Sequence, residues 1–220
     1  QFVLVDGKMR GLFTLLFGAG LYLFMERVWE REGTRWRQMW RLFVLMLFGL
    51  AHFFLIWAGD ILFYYAVVGF LVVPCLGWSA KAQLWTGLIG YFFGALLYAA
   101  MLSFPYAIVD TAAGDAPELA DERADLIAGK ASQLADDAVI TEIKRSGDYP
   151  AYVAHRAREQ WFVPLVNLVV FSFETLPLMV LGVALYRYGF FSGAFDARRM
   201  RFWGWTGVLA GGLIHLAIAL

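Results

Sequence analysis

Two side chains that can carry charge lie inside a long apolar stretch, RLFVLMLFGLAHFFLIWAGDILFYYAVVGFLVVPCLGW, which covers residues 41–78. His52 is a candidate general base, because an imidazole exchanges protons near neutral pH. An ionisable residue inside a membrane is a functional candidate by default, although a neutral imidazole hydrogen-bonded to a neighbouring helix is an equal alternative. Asp60 also has a structural explanation, because it follows Gly59 in a turn and can cap a helix beginning at Ile61.

Glu174, in VFSFETLPLMVLG, is a third candidate catalytic residue. It lies in the middle of an apolar segment, where an unpaired carboxylate costs at least ~2.5 kcal/mol. A partner is therefore expected, and the candidates are Arg10, His52 and His215; a plain structural hydrogen bond between helices is the alternative. Pro177 removes a backbone donor one turn later, which often accompanies a polar cavity.

His52 shares one helical face with Arg41, because Arg41, Leu45, Phe48 and His52 follow in steps of four, three and four. A single stripe therefore connects an arginine at one end of this segment with the histidine near its other end.

The elements that must hold these residues are membrane helices. The chain has 220 residues, of which 61% are hydrophobic and 16% charged, a composition outside the range of ordinary soluble domains. A bilayer core needs about 20 apolar residues per helix. The sequence predicts an all-α, polytopic transmembrane helix bundle with about six visible spans, near residues 11–25, 42–57, 61–78, 84–104, 161–186 and 202–220. The first span is the weakest.

Orientation follows from the arginines and lysines, which accumulate in short cytoplasmic loops. Connections 26–41, 79–83 and 187–201 carry these residues and are predicted to be cytoplasmic. The turn at 57–60 and the acidic segment 105–160 then lie on the outer side of the membrane. Lys8 and Arg10 also fall on the outer side and oppose this trend mildly.

Segment 105–160 is predicted to be a helical extracytoplasmic insertion within one membrane domain that covers residues 1–220. Asp115 can cap a first helix that stops at Gly129, a second helix ends at Gly147, and Asp148 caps a third. Two interpretations are about equal: a solvated cap over the bundle, or a lid that binds an acceptor. The chain is expected to be a fragment of a longer protein.

Glycines at short intervals predict close helix packing more than chemistry. They are Gly18, Gly20, Gly87, Gly90, Gly94, Gly207 and Gly211.

Several chemistries are not expected. Cys75 is the single cysteine, and no His-x-x-x-His or paired-cysteine spacing predicts a metal site. The chain has no glycine-rich nucleotide loop, and nucleic acid is not an expected partner, because its basic residues are explained by membrane topology.

Four motifs in order, GKMRGLFTLLFGAG, RLFVLMLFGLAH, WAGDILFYYAVVGF and FETLPLMVLGVALYRYGFF, resemble the YeiB-like bacterial inner-membrane family, the domain of unknown function 418. That family is distantly similar to transmembrane acyltransferases of the acyltransferase-3 and heparan-glucosaminide acetyltransferase types. The resemblance implies acyl-CoA as donor, with Arg37 or Arg41 on the CoA phosphates and His52 as base. It also implies further segments before Gln1 and beyond Leu220.

Three functions stay open. The first is transfer of an acyl group from cytosolic acyl-CoA to an acceptor at the outer face. The second is a proton-coupled transporter or permease, in which Glu174, His52 and His215 form a protonation relay. The third is a non-catalytic scaffold or sensor. The lipid bilayer is the one partner that the sequence predicts, and it leaves the oligomeric state open.

Overall fold

The computed structural model describes residues 2–219, and it describes the side chains of residues 9–213 except those of 102 and 113. Within these residues the chain is helical and contains no strand, so the predicted all-α fold is confirmed. Short 3-10 turns connect some of the helices. The eight helices are α1 (Phe2–Trp29), α2 (Trp36–Leu55), α3 (Leu62–Val72), α4 (Ala80–Asp110), α5 (Ala120–Ser146), α6 (Tyr149–Glu159), α7 (Val163–Arg187) and α8 (Ala197–Ala219).

Among the residues that the structure describes, four helices are long and apolar enough to cross a membrane: α1 from Met9 onwards, α2, α4 and α7. They coincide with four of the predicted spans. The span predicted near residues 61–78 is divided, because α3 has 11 residues and is followed by a 3-10 turn at Pro74–Gly77. Pro74 lacks the N–H that would continue the α-helical hydrogen bonds. The described side chains of α8, up to Leu213, are all exposed.

Helix α7 is the centre of the bundle and packs against α4, α1 and α3, while α2 packs mainly against α3. The core forms where one apolar face of each helix meets its neighbours. Its buried members are Leu21, Met25, Val28, Leu42, Tyr65, Val68, Val72, Val73, Leu76, Met179, Val180 and Val183.

The three connections rich in arginine and lysine meet at one end of the bundle, which we call the arginine end. Arg187 Nη1 donates hydrogen bonds to Trp78 O at 2.5 Å and to Gln83 Oε1 at 2.9 Å. Tyr186 Oη donates to Glu26 Oε2 at 2.9 Å. The predicted alternation of the connections between two ends is therefore present in the fold.

The opposite end, which we call the insertion end, carries the turn at 57–60 and helices α5 and α6. Tyr149 Oη donates to Leu55 O at 2.8 Å and fastens α6 to the end of α2. The insertion begins later than predicted, because α4 continues past Pro105 to Asp110.

The helices of the insertion follow the predicted signals in part. Helix α5 runs through Gly129, so the predicted stop at that residue is wrong; an interior glycine lowers helix stability without ending a helix. Gly147 adopts φ of 73° after the last turn of α5 and ends it as predicted. Asp148 Oδ1 accepts a hydrogen bond from Ala151 N at 2.9 Å and caps α6 as predicted.

Six of the seven glycines divide into two groups, and at the seventh, Gly90, a Cβ would come within 3.0 Å of the Pro177 side chain without overlapping backbone. A Cβ on Gly18, Gly87 or Gly94 would overlap the backbone of α7, so these glycines do allow helices to approach closely. A Cβ on Gly20, Gly207 or Gly211 would meet nothing within 4 Å among the described residues. Sequence spacing alone does not separate the two groups.

Candidate functional site

His52 and Asp60 form a pair at the insertion end. His52 Nδ1 lies 3.1 Å from Asp60 Oδ1, and 2% of the Asp60 side chain is exposed. The two atoms are at ion-pair distance, but the angle is not that of an aligned hydrogen bond. Asp60 Oδ2 accepts a hydrogen bond from Phe63 N at 3.0 Å, so this side chain caps the first turn of α3 as predicted. The helix begins one residue later than predicted, at Leu62, and Ile61 takes the N-cap position. Asp60 thus has two roles, as a helix cap and as the partner of the imidazole.

Glu174 is paired with Arg10, one of the three partners that the sequence allowed. The Glu174 side chain is 22% exposed and the Arg10 side chain is 32% exposed. The Arg10 guanidinium also lies 5.0 Å from the centroid of the Phe171 ring. The side chains of His215 and Lys8 lie outside the described residues. The pair joins α1 to α7 and balances a carboxylate that would otherwise be costly in a membrane.

A hydroxyl cluster lies beside this pair. Tyr65 Oη and Thr14 Oγ1 are 2.6 Å apart, and Tyr65 Oη also lies 3.3 Å from the Arg10 carbonyl oxygen, to which it donates. Tyr65 on α3 is therefore fixed to the same turn of α1 that carries Arg10.

One cavity of about 270 Å³ lies between α1, α3 and α7, and one member of each pair lines it: Asp60 of the His52–Asp60 pair and Arg10 of the Arg10–Glu174 pair. His52 and Glu174 are not in its lining. The other polar side chains that line it are Tyr64, Tyr65, Asn167 and Thr175. Such a cavity, mostly apolar with a few converging polar groups, is typical of a small-molecule site.

Sequence reasoning did not single out Tyr64, Tyr65 or Asn167 as site residues. Asn167 had a detectable signal, because it interrupts an apolar run and lies seven positions before Glu174, on the same face of α7. Arg156 on α6 was also missed: it is 1% exposed, although arginine is rarely buried when unpaired.

The two candidate donor-binding arginines lie at the arginine end. Arg37 is exposed. The Arg41 guanidinium lies 4.0 Å from the centroid of the Phe24 ring, and its Nη1 donates to Gln38 Oε1 at 3.3 Å. Arg41 and His52 are about 16 Å apart along α2, from the 1.5 Å rise per residue. The structure therefore does not bring them together.

An apolar groove of about 420 Å³ between α1 and α2 leads away from Arg41. Its wall includes Phe13 and Phe17, whose ring centroids lie 5.6 and 5.4 Å from that of Tyr65. Tyr65 lines the cavity, so the groove and the cavity are separated by one layer of aromatic rings. Phe48, within the predicted stripe, is 66% exposed, so the stripe itself is not a buried route.

Among the described residues, no group of three His, Cys, Asp or Glu side chains is arranged to hold a metal ion. The fold and site therefore define an all-α protein with helices of membrane-spanning length and a polar cavity between them.

Within that class, the chain is similar to three uncharacterised bacterial proteins. It is 31% identical to YeiB of Escherichia coli strain K12 over 220 residues, which cover 97% of the chain and 50% of YeiB. It is 48% identical to YxaH of Bacillus subtilis strain 168 over 64 residues, or 28% of the chain and 16% of YxaH.

The third relative is an uncharacterised 39.9 kDa protein in the amylase 3′ region of Bacillus acidopullulyticus, 33% identical over 106 residues, or 48% of the chain and 30% of that protein. The chain thus spans about half the length of YeiB and less of the other two. These similarities make it a homologue of YeiB and YxaH and support the YeiB-like resemblance. No family profile matches the chain, and no solved structure matches it.

Proposed function

We propose that the protein is a membrane acyltransferase in which His52 is the general base and Asp60 orients it. The observation that carries this proposal is the 3.1 Å contact between His52 Nδ1 and the buried carboxylate of Asp60. The resemblance to the YeiB-like family, the domain of unknown function 418, implies the same chemistry, because that family is distantly similar to transmembrane acyltransferases.

The His52–Asp60 pair suits base catalysis because the two ring nitrogens have separate tasks. With Nδ1 facing the carboxylate, Nε2 is the nitrogen that takes a proton from an acceptor hydroxyl or amine. The acceptor atom then bonds to the thioester carbonyl carbon, the carbon–sulfur bond breaks, and the leaving CoA thiolate takes the proton back from His52 Nε2, which regenerates the base. Asp60 stabilises the imidazolium while Phe63 N–H holds its second oxygen in place.

The donor is acyl-CoA, bound from the arginine end. Arg37 and Arg41 are the candidate phosphate ligands, because guanidinium groups pair strongly with phosphate oxygens. The apolar groove from Arg41 toward Phe13 suits the thioester arm, and the ring layer at Tyr65 is the last barrier before the cavity.

Glu174 has a supporting role in this scheme. Its ion pair holds Arg10 at the wall of the cavity, where the guanidinium can donate to the oxyanion that develops on the carbonyl. Glu174 is thus a positioning residue, a narrower role than the catalytic one that the sequence proposed.

The proposed orientation places the protein in a bacterial inner membrane, with the arginine end in the cytoplasm and residues 105–160 outside the cell. It rests on the excess of lysine and arginine in the three connections that meet at the arginine end. The acceptor would then reach the cavity from the outer face.

Proton-coupled transport is the second candidate. It is favoured by the Arg10–Glu174 pair, which joins two helices of membrane-spanning length beside a cavity. In this scheme protonation of Glu174 would release Arg10 and change access to the cavity.

The test uses purified protein in lipid nanodiscs and radiolabelled acetyl-CoA, and follows both CoA release and label transfer. His52→Gln and Asp60→Asn should each lower kcat by about 100-fold, the lower end of what a positioned general base contributes. Asp60→Asn keeps a capping oxygen for Phe63 N, so its thermal stability should stay near that of the parent protein. Arg41→Gln should raise the KM for the donor and leave kcat unchanged.

A matched control exists in the insertion, where His155 Nε2 lies 2.8 Å from Asp136 Oδ1. His155→Gln removes a similar histidine–aspartate contact away from the cavity and should leave kcat unchanged. Full turnover by His52→Gln would refute the assignment of the base. Absence of acetyl-CoA turnover together with proton-driven solute uptake in proteoliposomes would favour the transporter.

A further inference from the structure

The insertion contributes a buried arginine to the bundle. Arg156 on α6 is 1% exposed, and its guanidinium carbon lies 4.3 Å from the centroid of the Phe53 ring on α2. It also lies 5.4 Å from the Tyr152 ring centroid, and Nη1 donates to Tyr152 Oη at 2.6 Å. The side chain is therefore held in place by rings and by one hydrogen bond on one of its edges.

The other edge of this guanidinium has no acceptor. Nε and Nη2 are buried and make no hydrogen bond within the part of the chain that the structure describes. No carboxylate in that part forms an ion pair with Arg156. These two nitrogens form the edge that binds both oxygens of a carboxylate or phosphate side by side. A buried cation without a hydrogen-bond acceptor costs free energy, so a negatively charged partner at this edge would be stabilising.

A second polar group lies in the same region. The Tyr64 hydroxyl is buried beside the Asn167 side chain, although it makes no aligned hydrogen bond with the described residues. Asp60 and Arg156 are both close enough for their charges to act on it. Tyr64 and Asn167 line the cavity described above. Phe53, on which Arg156 rests, directly follows His52 in the sequence. An arginine edge without an acceptor and a buried phenol that only Asn167 approaches thus lie next to the proposed catalytic pair.

We propose that Arg156 and Tyr64 form a binding site for an oxyanion, a carboxylate or phosphate group, at the junction of α6 with α2 and α3. The guanidinium edge donates two parallel hydrogen bonds, and the phenol can donate a third. A neutral or cationic ligand would leave the arginine unpaired. The site does not depend on acyl transfer, because the same geometry would serve a transporter or a sensor.

In this site, helix α6 covers the bound anion. Tyr149 fastens the start of α6 to Leu55 O, and Gln160, just after its end, donates to Asp136 Oδ2 at 2.6 Å. Because Arg156 is almost fully buried, an anion enters only when α6 moves away from α2. The ligand is either a soluble anion or the phosphate of a lipid headgroup, and the two sources share the chemistry of the site.

The experiment uses the whole protein in dodecyl maltoside, which is uncharged and free of phosphate. Its melting temperature is followed while inorganic phosphate, acetate or phosphatidylglycerol is titrated, with potassium chloride at equal ionic strength as the reference. At least one of the three anions should raise the melting temperature above that reference. A response to phosphate or acetate identifies a soluble anion, and a response to phosphatidylglycerol alone identifies a lipid headgroup.

Three variants locate the binding. Arg156→Lys keeps the positive charge but cannot donate two parallel hydrogen bonds to one anion, so it should raise the apparent Kd for the anion by at least tenfold. Tyr64→Phe removes a hydroxyl that makes no aligned hydrogen bond and has only the Asn167 side chain beside it. It should therefore fold nearly as well as the parent protein and still bind the anion more weakly. Arg158→Lys is the matched control, because Arg158 is exposed on the same helix, and its titration should match that of the parent protein.

Two results would overturn the proposal: no response of the parent protein to any of the three anions beyond the chloride reference, or equal responses of the parent, Arg156→Lys and Tyr64→Phe proteins. If Arg156→Lys does not accumulate, the comparison of Tyr64→Phe with Arg158→Lys decides the question. Neither outcome depends on acyl-CoA turnover, so failure of the proposed enzyme activity leaves this test intact.

Discussion

Alanine at Gly18 or Gly182 should force α1 and α7 apart. A Cβ on Gly18 would overlap the backbone carbonyl of Met179, and a Cβ on Gly182 would overlap the backbone carbonyl of Leu15. The two clashes lie within one helical turn of each other at the same crossing of α1 and α7. Because the atoms that would be struck belong to the backbone, no change of side-chain rotamer relieves them.

The expected loss follows from two opposing effects. Overpacking a closely packed contact typically costs about 1–3 kcal/mol. Alanine in place of an interior helical glycine returns up to about 1 kcal/mol through helix propensity. Each variant should therefore lose about 1–2 kcal/mol of stability. The helices would move apart by on the order of 1 Å to restore normal contact, and this movement would also draw Arg10 on α1 away from Glu174 on α7.

The assay is reversible unfolding in mixed micelles with increasing SDS, followed by tryptophan fluorescence. Gly20→Ala is the control, because it lies on the same helix and its Cβ would meet nothing within 4 Å; it should be as stable as the parent protein or slightly more so. Combining Gly18→Ala with Gly182→Ala should cost less than the sum, because one displacement relieves both clashes. Equal stability of the Gly18→Ala and Gly20→Ala proteins would refute the reasoning.

Two further predictions concern the charge pair and the membrane orientation. Glu174→Lys should strongly reduce accumulation in the membrane, because it sets two cations side by side. The exchange Arg10→Glu with Glu174→Arg should recover most of that accumulation. Normal accumulation of the Lys variant would show instead that residue 174 faces a water-filled cavity. Glu174→Gln should cost about 1–2 kcal/mol, less than the ~3–5 kcal/mol of a fully buried broken pair, as measured by thermal unfolding in detergent. With Cys75 replaced by alanine, Ser132→Cys should react with an impermeant maleimide in intact cells and Lys81→Cys only after lysis; the reverse pattern would invert the proposed orientation.

The helical class of the protein and several helix ends could be predicted because they depend on near neighbours. Apolar runs of sufficient length indicated helices α2, α4 and α7 without any knowledge of packing. Gly147 and Asp148 ended and started helices as expected, since a positive φ and a capping carboxylate act within one turn. Gly129 misled the prediction, because a glycine has only a weak preference to stop a helix.

The sequence predicted which residues belong to the candidate site, but only part of how those residues are paired. Asp60 was assigned its capping role from its place after Gly59, but its contact with His52 requires the chain to fold back after α2. Glu174 needed a partner, and the sequence offered three. The choice of Arg10 depends on how α1 lies against α7, where Gly18 allows the approach.

The sequence by itself determined that this protein is built of apolar helices and that its arginines gather in alternate connections. It also determined that His52 and Glu174 need an explanation inside such helices, and Asp60 in the turn between two of them. Those conclusions rest on hydropathy and spacing, which are local properties of the chain. Only the tertiary structure decided that Arg10 pairs with Glu174 across 164 positions, that Asp60 and Arg10 line one cavity, and that Arg156 of the insertion is buried against Phe53. These facts depend on helix packing, because the positions of residues far apart in the chain are fixed only when the helix faces meet.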